Sequence, residues 1–248
     1  MVWSEFFSFA LVGLLAQLID GALGMAYGLV SSSILLAMGL PPAVASATVH
    51  TAEVATTGAS AASHAWFGNV RWRLFRQLAI PGAIGGVLGA TVLANVPGEA
   101  IRPYVNVYLL VLGVMVLLRA LGRRLTRHQV HHSGVLGFVA GLLDAIGGGG
   151  WGPLATSTLI ARGGAVRGTI GSVNAAEFVV TVCISATLAF HIGIQHWNIV
   201  LGLLTGGVLA APLAAWLVRH LPEKAVMAAV GALIVLISAG QLLQQWLR

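Results

Sequence analysis

Four carboxylates stand in otherwise apolar stretches of this chain: Asp20, Glu53, Asp144 and Glu177. Each glutamate follows its aspartate by 33 residues, and the two pairs lie 124 residues apart in a chain of 248. Where such stretches cross a bilayer, an ionised carboxylate costs roughly 2.5–3.5 kcal/mol on insertion scales. Four of them at matched positions point to chemistry that uses charge, namely carrying protons or holding a cation. A purely structural role, capping helix ends beside glycine breaks, fits the two aspartates better than the two glutamates.

The neighbours of the glutamates are polar at helical spacing. His50, Glu53 and Thr57 share one helical face, as do Asn174, Glu177 and Thr181. Each half therefore offers a carboxylate flanked by a His or Asn and a Thr. Threonine alone proves little, because in apolar helices it often bonds back to its own backbone.

The aspartates introduce glycine-rich breaks, Asp20-Gly-Ala-Leu-Gly-Met-Ala-Tyr-Gly28 and Asp144-Ala-Ile-Gly-Gly-Gly-Gly-Trp-Gly-Pro153. Four consecutive glycines, Gly147, Gly148, Gly149 and Gly150, disfavour helix, and Pro153 suits the first turn of a new one. A half-helix starting there aims free N–H groups and partial positive charge at the break, which suits an anion. Gly24, Tyr27, Gly28, Ser31 and Ser32 in the first half are the expected anion-lining residues. Gly147 to Gly150, Trp151, Thr156 and Asn174 are their counterparts in the second. No lysine or arginine lies in the interior of any clear span, so backbone amides must supply the positive potential. The glycine run lacks the Lys-Ser/Thr ending of a phosphate-cradling loop, and no metal or cofactor site is expected. His128, His131 and His132 read as part of an arginine-rich loop; His64, His191, His196 and His220 read as interfacial.

Composition sets what must position these groups. The chain is 58% hydrophobic and 8% charged, with mean hydropathy +0.92, against about 25% charged residues in a soluble domain. This is an all-α polytopic membrane protein, its partners the lipid bilayer and a small solute. The net charge of +6 sits in short loops, where it sets topology and does not point to nucleic acid. Cys183 is the lone cysteine, so there is no disulfide framework. No basic segment precedes the first apolar stretch, and no signal peptide is expected.

Aligning residues 11–57 with 135–181 without gaps gives 14 identities in 47 positions, including both aspartates and both glutamates. The chain is a duplicated unit in one transmembrane domain, repeat 1 about 1–124 and repeat 2 about 125–248. Spans are expected at Ala43–Trp66, Leu74–Asn95, Arg102–Leu121, Arg167–Ile192, Trp197–Arg219 and Lys224–Trp246. Phe6–Gly39 and Gly134–Ala161 are too long for one crossing and too short for two. They read as re-entrant hairpins with halves of about 14 and about 10 residues. Arg71, Arg73 and Arg76 mark one loop as cytoplasmic, and Arg119, Arg123, Arg124 and Arg127 mark the central one. In the second half the pattern flips, to Arg219 and Lys224, which requires an odd number of crossings per half. The expected architecture is two inverted-topology repeats, each a hairpin plus three spans, with both termini outside.

The hairpins, the Gly39-Leu-Pro-Pro-Ala-Val-Ala-Ser46 lead into a Thr/Glu-bearing span, the Gly-Asn-Val-Arg-Trp stretch at Gly68–Trp72 and the glycine-rich Gly82–Ala90 together resemble the TauE/SafE-type sulfite exporter family. The resemblance covers nearly the whole chain through loose motifs, mostly glycines and prolines. It implies a bacterial inner-membrane transporter of small sulfur-containing or organic anions such as sulfite, sulfonates or thiosulfate. Asp20, Glu53 and Glu177 are unusual for that pattern. The expected function is a secondary transporter, with Asp20, His50, Glu53, Asp144 and Glu177 as proton-coupling groups, since a bare carboxylate repels an anion. The alternative is a cation or metal-ion transporter using ionised carboxylates. An intramembrane protease is not expected, because its aspartyl and serine motifs are absent. A homo-oligomer is compatible with the sequence.

Overall fold

The structure, a computed structural model, describes residues 2–122, 133–161, 164–217 and 223–247. His128, His131, His132, His220, Arg123, Arg124, Arg127, Arg219 and Arg248 lie outside the described residues. The described chain is helical throughout. The first half of the chain holds α1 (Val2–Leu23), α2 (Tyr27–Ala37), α3 (Pro42–Trp66), α4 (Trp72–Asn95) and α5 (Gly98–Ala120). The second half holds α6 (Ser133–Gly147), α7 (Trp151–Ala161), α8 (Val166–Ile192), α9 (Trp197–Leu217) and α10 (Glu223–Trp246). Among the described residues four helices, within α1, α4, α8 and α9, are by length and composition long and apolar enough to cross a membrane. Leu11, Ile80, Ile84, Leu88, Leu209, Leu213 and Leu236 point outward, as lipid-facing residues should.

Both glycine breaks fall where the sequence places them. In one respect α1 differs from expectation: it has 22 residues, about 33 Å at 1.5 Å per residue, where a half of about 14 was expected. Nothing between Trp3 and Ala10 breaks a helix, so the helix runs on through Phe6 and Phe7. Its partner α2 has 11 residues, about 16 Å, and α6 and α7 have 15 and 11.

Packing is reciprocal between the halves. α1 packs on α9 as its counterpart α6 packs on α4, and α3 packs on α9 as α8 packs on α4. Glycines bring these backbones together, as small residues do in membranes. A Cβ at Gly202 would lie 2.7 Å from the Phe6 carbonyl oxygen, and one at Gly206 would lie 2.7 Å from the Leu14 nitrogen, so α1 and α9 run parallel. The same test at Gly85 (2.9 Å from Phe138 C) and Gly89 (3.1 Å from Leu142 C) makes α4 and α6 parallel. The equivalent helices α3 and α8 pack on each other in the opposite sense. Thr51 meets Ser185 at 3.1 Å and Ser60 meets Asn174 at 2.8 Å, so residue numbers rise along one helix as they fall along the other. Gly113 against Ile234 (3.0 Å) and Gly231 against Leu117 N (2.9 Å) make α5 and α10 antiparallel too.

Candidate functional site

The two breaks cross at the centre of the molecule. Ser32, on α2, donates to the Gly148 carbonyl. Its repeat counterpart Thr156, on α7, donates to the Gly24 carbonyl at 2.8 Å. A Cβ at Gly28 would lie 2.8 Å from Gly149 Cα, and one at its counterpart Gly152 would lie 2.6 Å from Met25 Cα. The glycines are therefore needed for backbone-to-backbone contact. Gly24 and Gly148 share a left-handed φ of 68°, and Gly150 sits at 142°. Ala26, the counterpart of Gly150, is held at φ 130°, a conformation L residues rarely adopt, which marks strain at the crossing.

Each aspartate caps the half-helix after its own break. Asp144 Oδ1 accepts the Trp151 N–H at 2.9 Å, and Asp20 Oδ1 accepts the Tyr27 N–H at 3.4 Å. The first backbone donor of each half-helix is thus committed to a carboxylate seven residues earlier. This is the capping role weighed from sequence, and it leaves each second carboxylate oxygen for other work. Asp144 Oδ2 lies 3.2 Å from His50 Nε2, whereas Asp20 Oδ2 is buried without a partner. All four carboxylates are buried, Asp20, Glu53 and Asp144 at 2% exposure and Glu177 at 6%.

The stripe residues separate on inspection. His50 reaches across to repeat 2 rather than chiefly along its own helix, its Nε2 being 3.9 Å from Glu53. Thr57 bonds back to the Glu53 carbonyl and lends nothing to a solute. Thr181 Oγ1 and Glu177 Oε2 have no partner. Asn174 donates to the Ile170 carbonyl at 3.1 Å and accepts from Ser60 at 2.8 Å. On α2 the Ser31 hydroxyl, expected to line the site, and that of Ser33 are buried and unpartnered, whereas the Tyr27 hydroxyl interacts with Thr56. Trp151 is fully buried and its ring N–H donates to the Val173 carbonyl at 3.1 Å, which makes it a wall. Gly147 and Gly150 lie against the Tyr108 ring.

Several residues were missed by sequence reasoning. Ser46 donates to the Ala145 carbonyl at 2.8 Å and orients His50. His64 is fully buried, correcting its interfacial reading. One ring nitrogen contacts the Gly21 carbonyl at 2.9 Å and the other contacts Asn69 at 3.0 Å. Asn69 in turn accepts from Arg167, whose guanidinium also donates to the Phe67 carbonyl at 2.6 Å. The only sequence signal was the position of Asn69 within the Gly-Asn-Val-Arg-Trp stretch. Among the described residues no group of three or more metal-ligating side chains is gathered closely enough to hold a metal.

Buried acids, two broken helices crossing through glycine, and an outward apolar belt describe a polytopic protein with a polar centre. A protein of Bacillus subtilis (strain 168) named "Probable membrane transporter protein YtnM" is 45% identical over 249 residues, covering 96% of this chain and 83% of that protein. No solved structure matches the chain. The family described as "Sulfite exporter TauE/SafE" matches residues 9–240, and the chain is a member of that family of membrane proteins.

Proposed function

We propose that this protein is a secondary transporter of a small sulfur-containing or organic anion, sulfite being the reference substrate, in a bacterial inner membrane. The reading is carried by the reciprocal crossing of the two half-helix breaks, walled by unpartnered hydroxyls and four buried carboxylates. Such a polar centre, sealed from lipid by apolar helices, is what a solute needs on the way through. Coupling to protons follows from charge: an anion enters among four acids only if some of them are neutral. Membership of a family described as an exporter, and the name of the Bacillus subtilis relative, support a transport role.

The halves are read as inverted-topology repeats, and the antiparallel packing of α3 on α8 and of α5 on α10 supports this. Equivalent helices oppose each other in this way where one half is turned over relative to the other, as in inverted-repeat transporters. Cysteines introduced at positions 98, 122, 195 and 221, with Cys183 replaced, are then expected to react from outside, inside, outside and inside. A same-side result for 122 and 195 overturns the inversion.

One observation favours a cation instead: the unpartnered oxygens of Asp20 and Glu177 are acceptors awaiting a positive charge or a proton. Proteoliposomes separate the readings. Labelled sulfite is expected to accumulate when a pH gradient is imposed, while a labelled divalent cation is not. Cation uptake without sulfite uptake reverses the assignment.

A further inference from the structure

We propose that His50 and Asp144 together hold the coupling proton at the contact between the repeats, so that only one half of the pseudo-symmetric centre carries it. This rests on the transporter reading above and narrows it to one pair of residues.

The tautomer of His50 is fixed by its neighbours. Nδ1 lies 2.8 Å from the Ser46 carbonyl oxygen, which can only accept, so Nδ1 carries a hydrogen. Nε2 then faces Asp144 Oδ2 at 3.2 Å. One proton must lie in that contact, as N–H toward a carboxylate or as carboxylic O–H toward the ring. In both forms the pair is neutral overall. Taking that proton away sets an imidazole lone pair against a bare carboxylate, and the contact becomes repulsive.

The proton is also tied to the break. Asp144 caps α7 through its other oxygen, at 2.9 Å from the Trp151 N–H. Any movement of the carboxylate away from His50 is therefore felt at the start of α7, beside the glycines that cross α2. The matching contact is missing from the other half. Asn174 stands where His50 stands, its amide is spent on Ile170 and Ser60, and Asp20 Oδ2 has no partner. Asparagine does not titrate, so the symmetry of the fold is broken at this position.

The groups that face the pair are identifiable. Glu53, on the same helix as His50, lies 3.9 Å from Nε2, beyond hydrogen-bonding distance. Asp20 at the end of α1, Glu177 on α8 and Tyr108 on α5 face Asp144. Tyr27 on α2 faces Glu53 and Asp20. Of the acids only Asp144 is within hydrogen-bonding reach of the ring, which singles it out.

Infrared difference spectroscopy of the purified full-length protein between acid and alkaline pH, without substrate, tests the assignment. The parent is expected to give carboxyl and imidazole bands that titrate together. Asp144→Asn and His50→Asn should each abolish that joint signal, whereas Glu53→Gln should move its midpoint and keep it. Asparagine at 144 can still accept the Trp151 N–H, and asparagine already occupies the matching position at 174, so both variants are compatible with the fold. Persistence of the joint signal in Asp144→Asn, or its loss in Glu53→Gln alone, overturns the proposal. In proteoliposomes the His50→Asn variant is expected to exchange labelled sulfite but to lose accumulation driven by a pH gradient. Because the spectra contain no substrate, a wrong substrate class would remove the uptake signal of the parent and leave its titration intact. The two failures are thus separable.

Discussion

Gly149→Leu is expected to abolish transport while leaving the protein in the membrane. Gly149 has φ 157°, and a Cβ there would lie 2.9 Å from Gly28 Cα, with the Gly28 carbonyl carbon and Leu29 nitrogen closer still. The obstruction is backbone on both sides, so no side chain can swing aside to make room. Strain at a glycine-like φ costs about 1–3 kcal/mol, and overpacking costs about 1–3 kcal/mol more. The cheapest relief is separation of the two breaks, which also ruptures the Ser32 and Thr156 bonds that close the crossing. Gly148→Leu should act alike, its Cβ falling 3.1 Å from Ser32 Cβ at φ 68°. Gly39 and Gly193 are the controls. Both have positive φ, but nothing lies within 4 Å of the added Cβ, so alanine there carries the strain without the clash. Uptake by vesicles matched for folded protein should fall to the protein-free level for Gly149→Leu and stay near the parent for Gly193→Ala. Parental uptake by Gly149→Leu would mean that solute does not pass the crossing.

How much of this was readable in the sequence depends on whether a feature is local. The breaks at Gly24 and Gly148, the caps seven residues from Asp20 and Asp144, and the helices around them follow from glycine, proline and apolar runs within a few turns. The duplication was visible because the same residues recur at a fixed offset. The partner of His50 was not readable. On one helix Glu53 is the obvious neighbour, and only folding brings Asp144, 94 residues away, closer. His64 was misread for a similar reason. A histidine near the end of a span ordinarily reaches the interface, but here the α3–α4 connection folds back over it through Asn69. The first half-helix was started at Phe6 and its length underestimated, although no residue before Phe6 breaks a helix. The unpartnered state of Glu177 and Asp20 was not readable in the sequence, and it is at His50 and Asn174 that the likeness of the two halves fails.

The second large effect is expected at Asn69. Asn69 is 2% exposed and stands between a cation and a neutral ring. Its carbonyl accepts from Arg167, and its amide faces His64 Nδ1 at 3.0 Å. His64 Nε2 meets the Gly21 carbonyl at 2.9 Å, one residue from Asp20, so the Nε2 hydrogen points at α1 and Nδ1 is left to accept. The result is a line of hydrogen bonds from the start of α8, across the α3–α4 connection, to the last turn of α1. Asn69→Leu leaves one ring nitrogen of the fully buried His64 without a partner, while the guanidinium of the exposed Arg167 can turn to water. The orphaned ring nitrogen costs about 1–3 kcal/mol. A loss of about 1–3 kcal/mol is therefore expected, appreciable against a typical margin of about 5–15 kcal/mol. Arg167→Lys should be milder. An ammonium can still reach one acceptor, yet it lacks the fork that serves the Phe67 carbonyl and Asn69 together. Denaturation midpoints in detergent for Asn69→Leu, Arg167→Ala and the double variant close a cycle, and a coupling of about 0.5–3 kcal/mol is expected between residues in one network. Additive losses would mean that the line is three separate contacts. A coupled loss makes it a strut found on one side only, because the matching positions hold Ala43, Gly193 and Leu188, which cannot form it. The two ends of the central helix pair are then unequal in rigidity, as the two breaks are unequal in their proton chemistry.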